Sequence, residues 1–252
     1  MIHPVHFKNN RHQTLHGYIH KPKKYDTAVL FLHGFPGTMQ GTAAHFLNII
    51  SKLGFLCLRF NFSGTDTSEG KFEHKLMSQE VKDIKSALDF LEKNYSFKKL
   101  ILIGISTGAI DASLYACKDK RISKLILLSA VSDLKHAARY DFTDIQIQQF
   151  WKKGYISYNN PQKWYHKKRL NKEFYDEFFT LNIPQAIKKY HKPLLIVHGS
   201  KDEAVPVMNA KELFQMAHHP KKLLILRGAD HRFSKKRHQA QLLWGIYRFI
   251  RK

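Results

Sequence analysis

The run Leu100 to Ile105 is unbroken apolar and passes directly into Gly104-Ile105-Ser106-Thr107-Gly108, after which Ile110, Leu114 and Tyr115 recur at helical spacing. A serine flanked by small residues at a sharp strand-to-helix turn is thrust out above a sheet, because only small neighbours fit the strained, closely packed backbone there. A serine hydroxyl is a poor nucleophile until a base takes its proton, so this pattern calls for a carboxylate and then a histidine further along the chain. Both are present in that order. The apolar run Leu194 to Val197 ends in His198-Gly199-Ser200-Lys201-Asp202, and the run Leu223 to Leu226 ends in Arg227-Gly228-Ala229-Asp230-His231. Asp202 and His231 therefore stand on loops at the carboxyl ends of two successive strands, where ligand sites of open α/β sheets lie.

Glu203 and Asp230 compete with Asp202 for the acid's role. Asp202 is preferred because it comes first after the strand turn, and Asp230 is read as a loop or capping residue. His198 precedes the acid and is read as structural. An acyl-transfer site also needs donors where negative charge develops on the substrate oxygen. The amide of Thr107 follows the nucleophile directly. In His33-Gly34-Phe35-Pro36-Gly37, after the run Ala28 to Leu32, the amide of Phe35 is the second candidate, since Pro36 has no N–H.

Other chemistries fit less well. Gly64-Thr65-Asp66-Thr67-Ser68-Glu69-Gly70-Lys71-Phe72 has the wrong spacing for a phosphate-binding loop, and Phe72 stands where a hydroxyl must meet magnesium. His16 and His20 on a strand are about 13 Å apart, too far to share a metal. Cys57 and Cys117 are the only cysteines, both in apolar surroundings, and are read as buried thiols. No metal or organic cofactor is expected.

The elements that position these residues follow from periodicity. Ile2 to Lys21 alternates around Asn9-Asn10 and reads as an antiparallel hairpin at a sheet edge. Short apolar runs at Ala28 to Leu32, Phe55 to Phe60, Leu100 to Ile105, Leu125 to Leu128, Leu194 to Val197 and Leu223 to Leu226 read as strands buried on both faces. Between them, Val81, Ile84, Leu88 and Leu91 form one apolar helical face, with Lys82, Asp83, Lys85 and Asp89 turned to water. A last helix carries Leu242, Leu243, Ile246, Phe249 and Ile250. The alternation predicts an α/β fold with a mostly parallel central sheet and helices on both faces. From about 133 to 192 no buried strand appears, only a polar and aromatic stretch, which predicts a lid or cap insertion in a single domain spanning 1–252.

The bulk composition narrows the setting. With 252 residues and 43% hydrophobic content the chain can bury an extensive core. The amino terminus lacks a secretory apolar stretch and no run approaches the ~20 apolar residues that span a bilayer, so no transmembrane segment and a cytoplasmic location are expected. The net charge of +22 is spread along the whole chain, with short runs at Lys167-Lys168-Arg169 and Lys235-Lys236-Arg237. Such a charge could draw nucleic acid, but its scatter reads as a basic solvated surface, and no nucleic-acid partner is expected.

The loop at His33-Gly34-Phe35-Pro36-Gly37, the stretch Arg59 to Gly70, the turn around Ser106, the acid loop at Asp202 and the base at His231 together resemble the α/β-hydrolase superfamily. The resemblance runs from the first buried strand to the last helix. It is similar to small esterases of the cinnamoyl/feruloyl esterase, serine aminopeptidase-like and dienelactone-hydrolase-like groups, from which it departs at Ile105, where those groups commonly carry histidine. The resemblance implies a compact insertion after the sixth strand and a serine hydrolase acting on a small-molecule carboxylic ester or thioester. A peptidase or acyltransferase on the same triad is the alternative within the fold. A non-catalytic binding protein is the alternative of another class, and it would be expected to lack a triad member.

Overall fold

Alternate residues of each buried run face opposite sides of one sheet, and this period of two divides the interior into two cores. The computed structural model of the chain describes residues 1–252, the side chain of Thr42 excepted. An antiparallel pair, β1 (Ile2–Lys8) and β2 (Thr14–His20), forms one edge. The remaining strands of this sheet are β3 (Thr27–Leu32), β4 (Leu56–Phe60), β5 (Lys99–Ile105), β6 (Ile122–Leu128), β9 (Leu194–Gly199) and β10 (Lys221–Leu226). They lie in the order β1-β2-β4-β3-β5-β6-β9-β10, and every pairing from β4 to β10 is parallel.

On one face Val29, Phe31, Ile101, Ile103, Leu195 and Val197 pack against α1 (Thr42–Lys52) and α9 (Lys236–Arg251). On the other, Leu30, Leu32, Leu102, Leu125 and Ile196 meet α2 (Met77–Asn94), α3 (Thr107–Ala116) and α8 (Met208–Met216). The expected α/β architecture, with its mostly parallel sheet and helices on both sides, is the one observed.

Two local readings need correction. Asp83 does not face water. It is fully buried, because its carboxylate accepts from the Ser63 amide (2.9 Å), Asn9 Nδ2 (2.9 Å) and Arg11 (3.1 Å). Three charge-compensating donors make burial of a carboxylate tolerable, and helical periodicity carries no sign of them. Cys57 is a buried thiol as expected, whereas Cys117, at the end of α3, is half-exposed.

Residues 133–192 leave the sheet after β6 and return at β9. They contain α4 (Leu134–Asp141), α5 (Asp144–Lys153), a small hairpin of β7 (Tyr155–Ser157) and β8 (Arg169–Asn171), then α6 (Lys172–Asp176) and α7 (Ile183–Lys188). Its aromatics mostly make its own core: Phe150, Phe174 and Phe178 are fully buried and Phe142 meets all three at ring-centroid distances of 5.2–6.4 Å. Among the described residues no helix is long and apolar enough to cross a membrane.

Candidate active site

Ser106 sits at the junction of β5 and α3 with φ 55° and ψ −124°, a conformation that L residues rarely adopt. Its neighbours explain why the turn closes. A Cβ at Gly104 would lie 2.1 Å from the Gly108 carbonyl oxygen, and one at Gly108 would lie 2.5 Å from the carbonyl oxygens of Leu32 and His33. The Ser106 amide donates to the Leu128 carbonyl (3.0 Å), and its own carbonyl accepts from Ala109 (2.8 Å) as the helix begins. The strained turn is thus fixed from both sides, and the hydroxyl opens into a cavity of about 260 Å³ that His231, Gly34, Phe35 and Ile105 also line.

The acid and base loops are sewn together. A Cβ at Gly199 would lie 2.3 Å from the Ala229 carbonyl oxygen, while the amides of Ser200 and Lys201 donate to Leu226 (3.0 Å) and Ala229 (2.9 Å). This brings His231 Nδ1 to 3.0 and 2.9 Å from the two oxygens of Asp202. A carboxylate can only accept, so Nδ1 carries the hydrogen and the lone pair of Nε2 is left to take a proton. The Asp202 side chain is fully buried and also accepts from the amides of Ala204 (3.0 Å) and Val205 (2.8 Å). Burial alone would raise its pKa, but hydrogen bonds from His198, His231 and the Val205 amide outweigh this and hold the carboxyl well below the usual range. Among the described residues no hydrogen bond joins Ser106 Oγ to His231. Such contacts are often long before substrate arrives.

Neither the Phe35 nor the Thr107 amide is used by the turn and loop hydrogen bonds of the surrounding backbone. The Phe35 loop is held from below by His33, whose Nδ1 donates to the Gly34 carbonyl (3.0 Å); burial, with the Lys75 ammonium nearby, pushes this imidazole down to about 3. From above, Trp164 Nε1 donates to the Pro36 carbonyl (3.0 Å), and the Phe35 ring packs on Phe72 and Phe174 at 5.9 and 4.8 Å.

Of the competing residues, Asp230 caps the following turn, accepting from the Ser234 amide (2.7 Å), and has no part in the Asp202–His231 pair. His198 is buried, but it does more than fill space. Its Nε2 donates to the Val205 carbonyl (2.9 Å) and lies 3.2 Å from Asp202 Oδ2. Ser129, which the sequence reading passed over, has φ 47° and donates from Oγ to the His231 carbonyl (2.9 Å), fixing the base's backbone. Asp141, the last residue of α4, was also passed over; burial pushes its carboxyl up to about 6, while the charge of nearby His231 pulls the other way. Within α3, Asp111 is raised far above its ordinary range by burial and by the Glu80 carboxylate, which itself pairs with Lys75. Neither Ser129 nor Asp141 has a motif around it; only the folded chain brings them to His231.

No group of three or more metal-ligating side chains occurs among the described residues. A larger cavity, of about 1070 Å³, lies between β1, α2 and the end of α3 and includes none of Ser106, Asp202 or His231.

Comparison with known proteins identifies the family. Residues 42–252 match the prolyl oligopeptidase family. The chain belongs to that family, within the α/β hydrolases. This prolyl oligopeptidase family member is 26% identical over 226 residues to human palmitoyl-protein thioesterase ABHD10, a mitochondrial protein, covering 86% of the chain and 70% of the relative. Its fold is similar to that of the esterase Est1E from Butyrivibrio proteoclasticus with ferulic acid bound (TM-score 0.83, 22% identity, 98% and 97% of the two chains). It is also similar to mouse α/β hydrolase domain-containing protein 10 (TM-score 0.79, 20% identity, 98% of each chain). The chain thus belongs to a hydrolase family and has a thioesterase among its relatives.

Proposed function

We propose that this protein is a serine hydrolase that cleaves a carboxylic ester or thioester through an acyl-enzyme, with Ser106 as nucleophile, His231 as base and Asp202 as the acid that orients it. The observation that carries the reading is the buried Asp202 carboxylate held against His231 Nδ1, which leaves Nε2 free to face the same cavity as Ser106. As the hydroxyl attacks the carbonyl, His231 takes its proton, and the amides of Phe35 and Thr107 receive the developing oxyanion. His231 then protonates the leaving group, and a water activated by the same imidazole releases the acyl group. The insertion at 133–192 acts as the lid of a single hydrolase domain and carries the side chains that steady the Phe35 loop.

The test is labelling by a fluorophosphonate and turnover of p-nitrophenyl esters, with Ser106→Ala alongside. Labelling and turnover in the wild type, both absent from the variant, are expected. A wild type that neither labels nor turns over would remove the catalytic reading and leave a binding role for the cleft.

A further inference from the structure

A second cavity, of about 400 Å³, shares no lining residue with the one at Ser106 and has a different character. It is lined by Gly70, Lys71, Phe72 and Glu73 on one side and by Lys167, Lys168 and Arg169, from the tip and returning strand of the β7–β8 hairpin, on the other. Four cations face one carboxylate. That carboxylate, Glu73, is engaged by Lys71 (3.9 Å) and His74 (3.5 Å), and no ion pair among the described residues involves Lys167, Lys168 or Arg169. Two of the three are oriented by neutral surfaces instead: the Arg169 guanidinium lies 4.5 Å from the Tyr155 ring centroid and the Lys168 ammonium 5.7 Å from that of Trp164. Lys167 has φ 59°, so the tip of the hairpin holds a long cationic side chain in a conformation better suited to glycine or asparagine. Crowding uncompensated cations costs free energy in the free protein and is offset when an anion enters.

An aromatic stack links the two cavities. Phe35 lines the catalytic one, Phe72 lines the basic one, and their rings stack with centroids 5.9 Å apart and planes 6° from parallel. Trp164 stands edge-on to Phe72 at 5.3 Å and closes on the Pro36 carbonyl. A substrate whose carbonyl is at Ser106 has a small cavity for its acyl group, and its leaving group would have to follow this stack to reach the cations.

We propose that the groove formed by Lys71, Lys167, Lys168 and Arg169 binds the phosphates of the leaving group, so that the substrate is a short-acyl thioester of a phosphorylated thiol. This rests on the serine-hydrolase reading above. Guanidinium and ammonium groups suit phosphate as a forked and a point-charge partner respectively, and the apolar wall suits the uncharged arm joining thiol to phosphate. In the chemical step the C–S bond breaks as the Ser106 ester forms, and the thiolate leaves with the proton that His231 took from Ser106. Water then cleaves the acyl ester to give a carboxylic acid and the free enzyme, with no redox change.

The experiment compares acetyl-coenzyme A with S-acetyl-pantetheine, which has the same thioester and arm but no phosphates, and with p-nitrophenyl acetate as a measure of the nucleophile itself. In the wild type, kcat/KM for acetyl-coenzyme A is expected to exceed that for S-acetyl-pantetheine at least tenfold, through KM, with the ratio shrinking as salt rises. Lys167→Asn with Lys168→Gln and Arg169→Gln should collapse the ratio towards one, and K167R/K168R/R169K should keep most of it. Equal kcat/KM for the two thioesters in the wild type, or a ratio that survives removal of the three charges, overturns the proposal. Calorimetry with coenzyme A and with pyrophosphate separates a leaving group from a free anion: pyrophosphate binding as tightly as coenzyme A overturns it too. Turnover of p-nitrophenyl acetate without discrimination between the thioesters rejects this proposal alone. A wild type that neither turns over p-nitrophenyl acetate nor labels with fluorophosphonate rejects the hydrolase reading and this proposal with it.

Discussion

Trp164 Nε1 lies 3.0 Å from the carbonyl oxygen of Pro36, so a residue of the insertion holds the loop that carries the Phe35 amide. Replacing Trp164 with phenylalanine removes this donor while keeping an aromatic ring against Phe72. A hydrogen bond of this kind contributes on the order of 1 kcal/mol, so kcat for p-nitrophenyl acetate should fall about fivefold with KM little changed. A fall confined to KM would instead make Trp164 a plain substrate contact.

Asp202→Asn tests the acid. An amide at this position can donate to His231 Nδ1 and stabilise the tautomer whose Nε2 is already protonated, which is useless to Ser106. A loss in kcat on the order of 10³–10⁴-fold is expected, with fluorophosphonate labelling slowed in parallel. A loss smaller than tenfold would move the role to another carboxylate, and Asp141 would be the first to examine.

The size of the catalytic cavity sets an acyl preference. Its volume of about 260 Å³ falls below the range typical of drug-sized ligand sites, on the order of 300–1,000 Å³. Among p-nitrophenyl esters the acetate and butyrate should be turned over with higher kcat/KM than the palmitate, and a rising profile out to sixteen carbons would contradict the cavity.

Gly104→Ala tests the packing of the turn. The added methyl carbon would meet the Gly108 carbonyl 2.1 Å away in backbone that has nowhere to move. Overpacking of this kind costs ~1–3 kcal/mol or more, and urea denaturation should show at least that loss. An unchanged midpoint would mean that β5 and α3 can separate more freely than their contact suggests.

His20, at the end of β2, is buried and accepts from Arg59 Nε (3.1 Å). Burial, then the charges of Arg59 and the amino terminus, push it down from 6.5 to about 4. Between those two values the unfolded chain binds a proton that the folded one excludes. Stability contributed by neutral His20 is therefore complete above about 6.5 and is lost as pH falls towards about 4, with a slope of up to ~1.4 kcal/mol per pH unit. His20→Gln keeps an acceptor for Arg59 and should flatten the dependence of the urea midpoint on pH in that window. An identical slope in both proteins would show that His20 does not carry it.

Much of this was legible in the chain itself, because each signal is local. Unbroken apolar runs mark strands buried on both faces, and Ser106, Asp202 and His231 each follow one, so strand ends and candidate site residues are read together. Asp83 shows where that logic stops: its helical position says solvent, and the donors that bury it come from residues 9, 11 and 63. The contact of His198 with Asp202, and the places of Ser129 and Asp141, escape the sequence for the same reason. Their importance lies in which backbone or side chain each meets after folding, a pairing with no periodicity and no fixed spacing.

Because β6 and β9 are direct neighbours, paired from Leu125↔Leu194 to Leu128↔Val197, the block between them starts and ends about one strand spacing (~4.8 Å) apart. Closing that gap with a longer or shorter block changes the entropy of the loop only slowly, by about 0.6 kcal/mol per doubling of length. Ser106, Asp202 and His231 all lie outside the block, on strand ends that keep their register whatever fills it. The block is therefore free to change in length and content while the atoms of these three residues stay where they are.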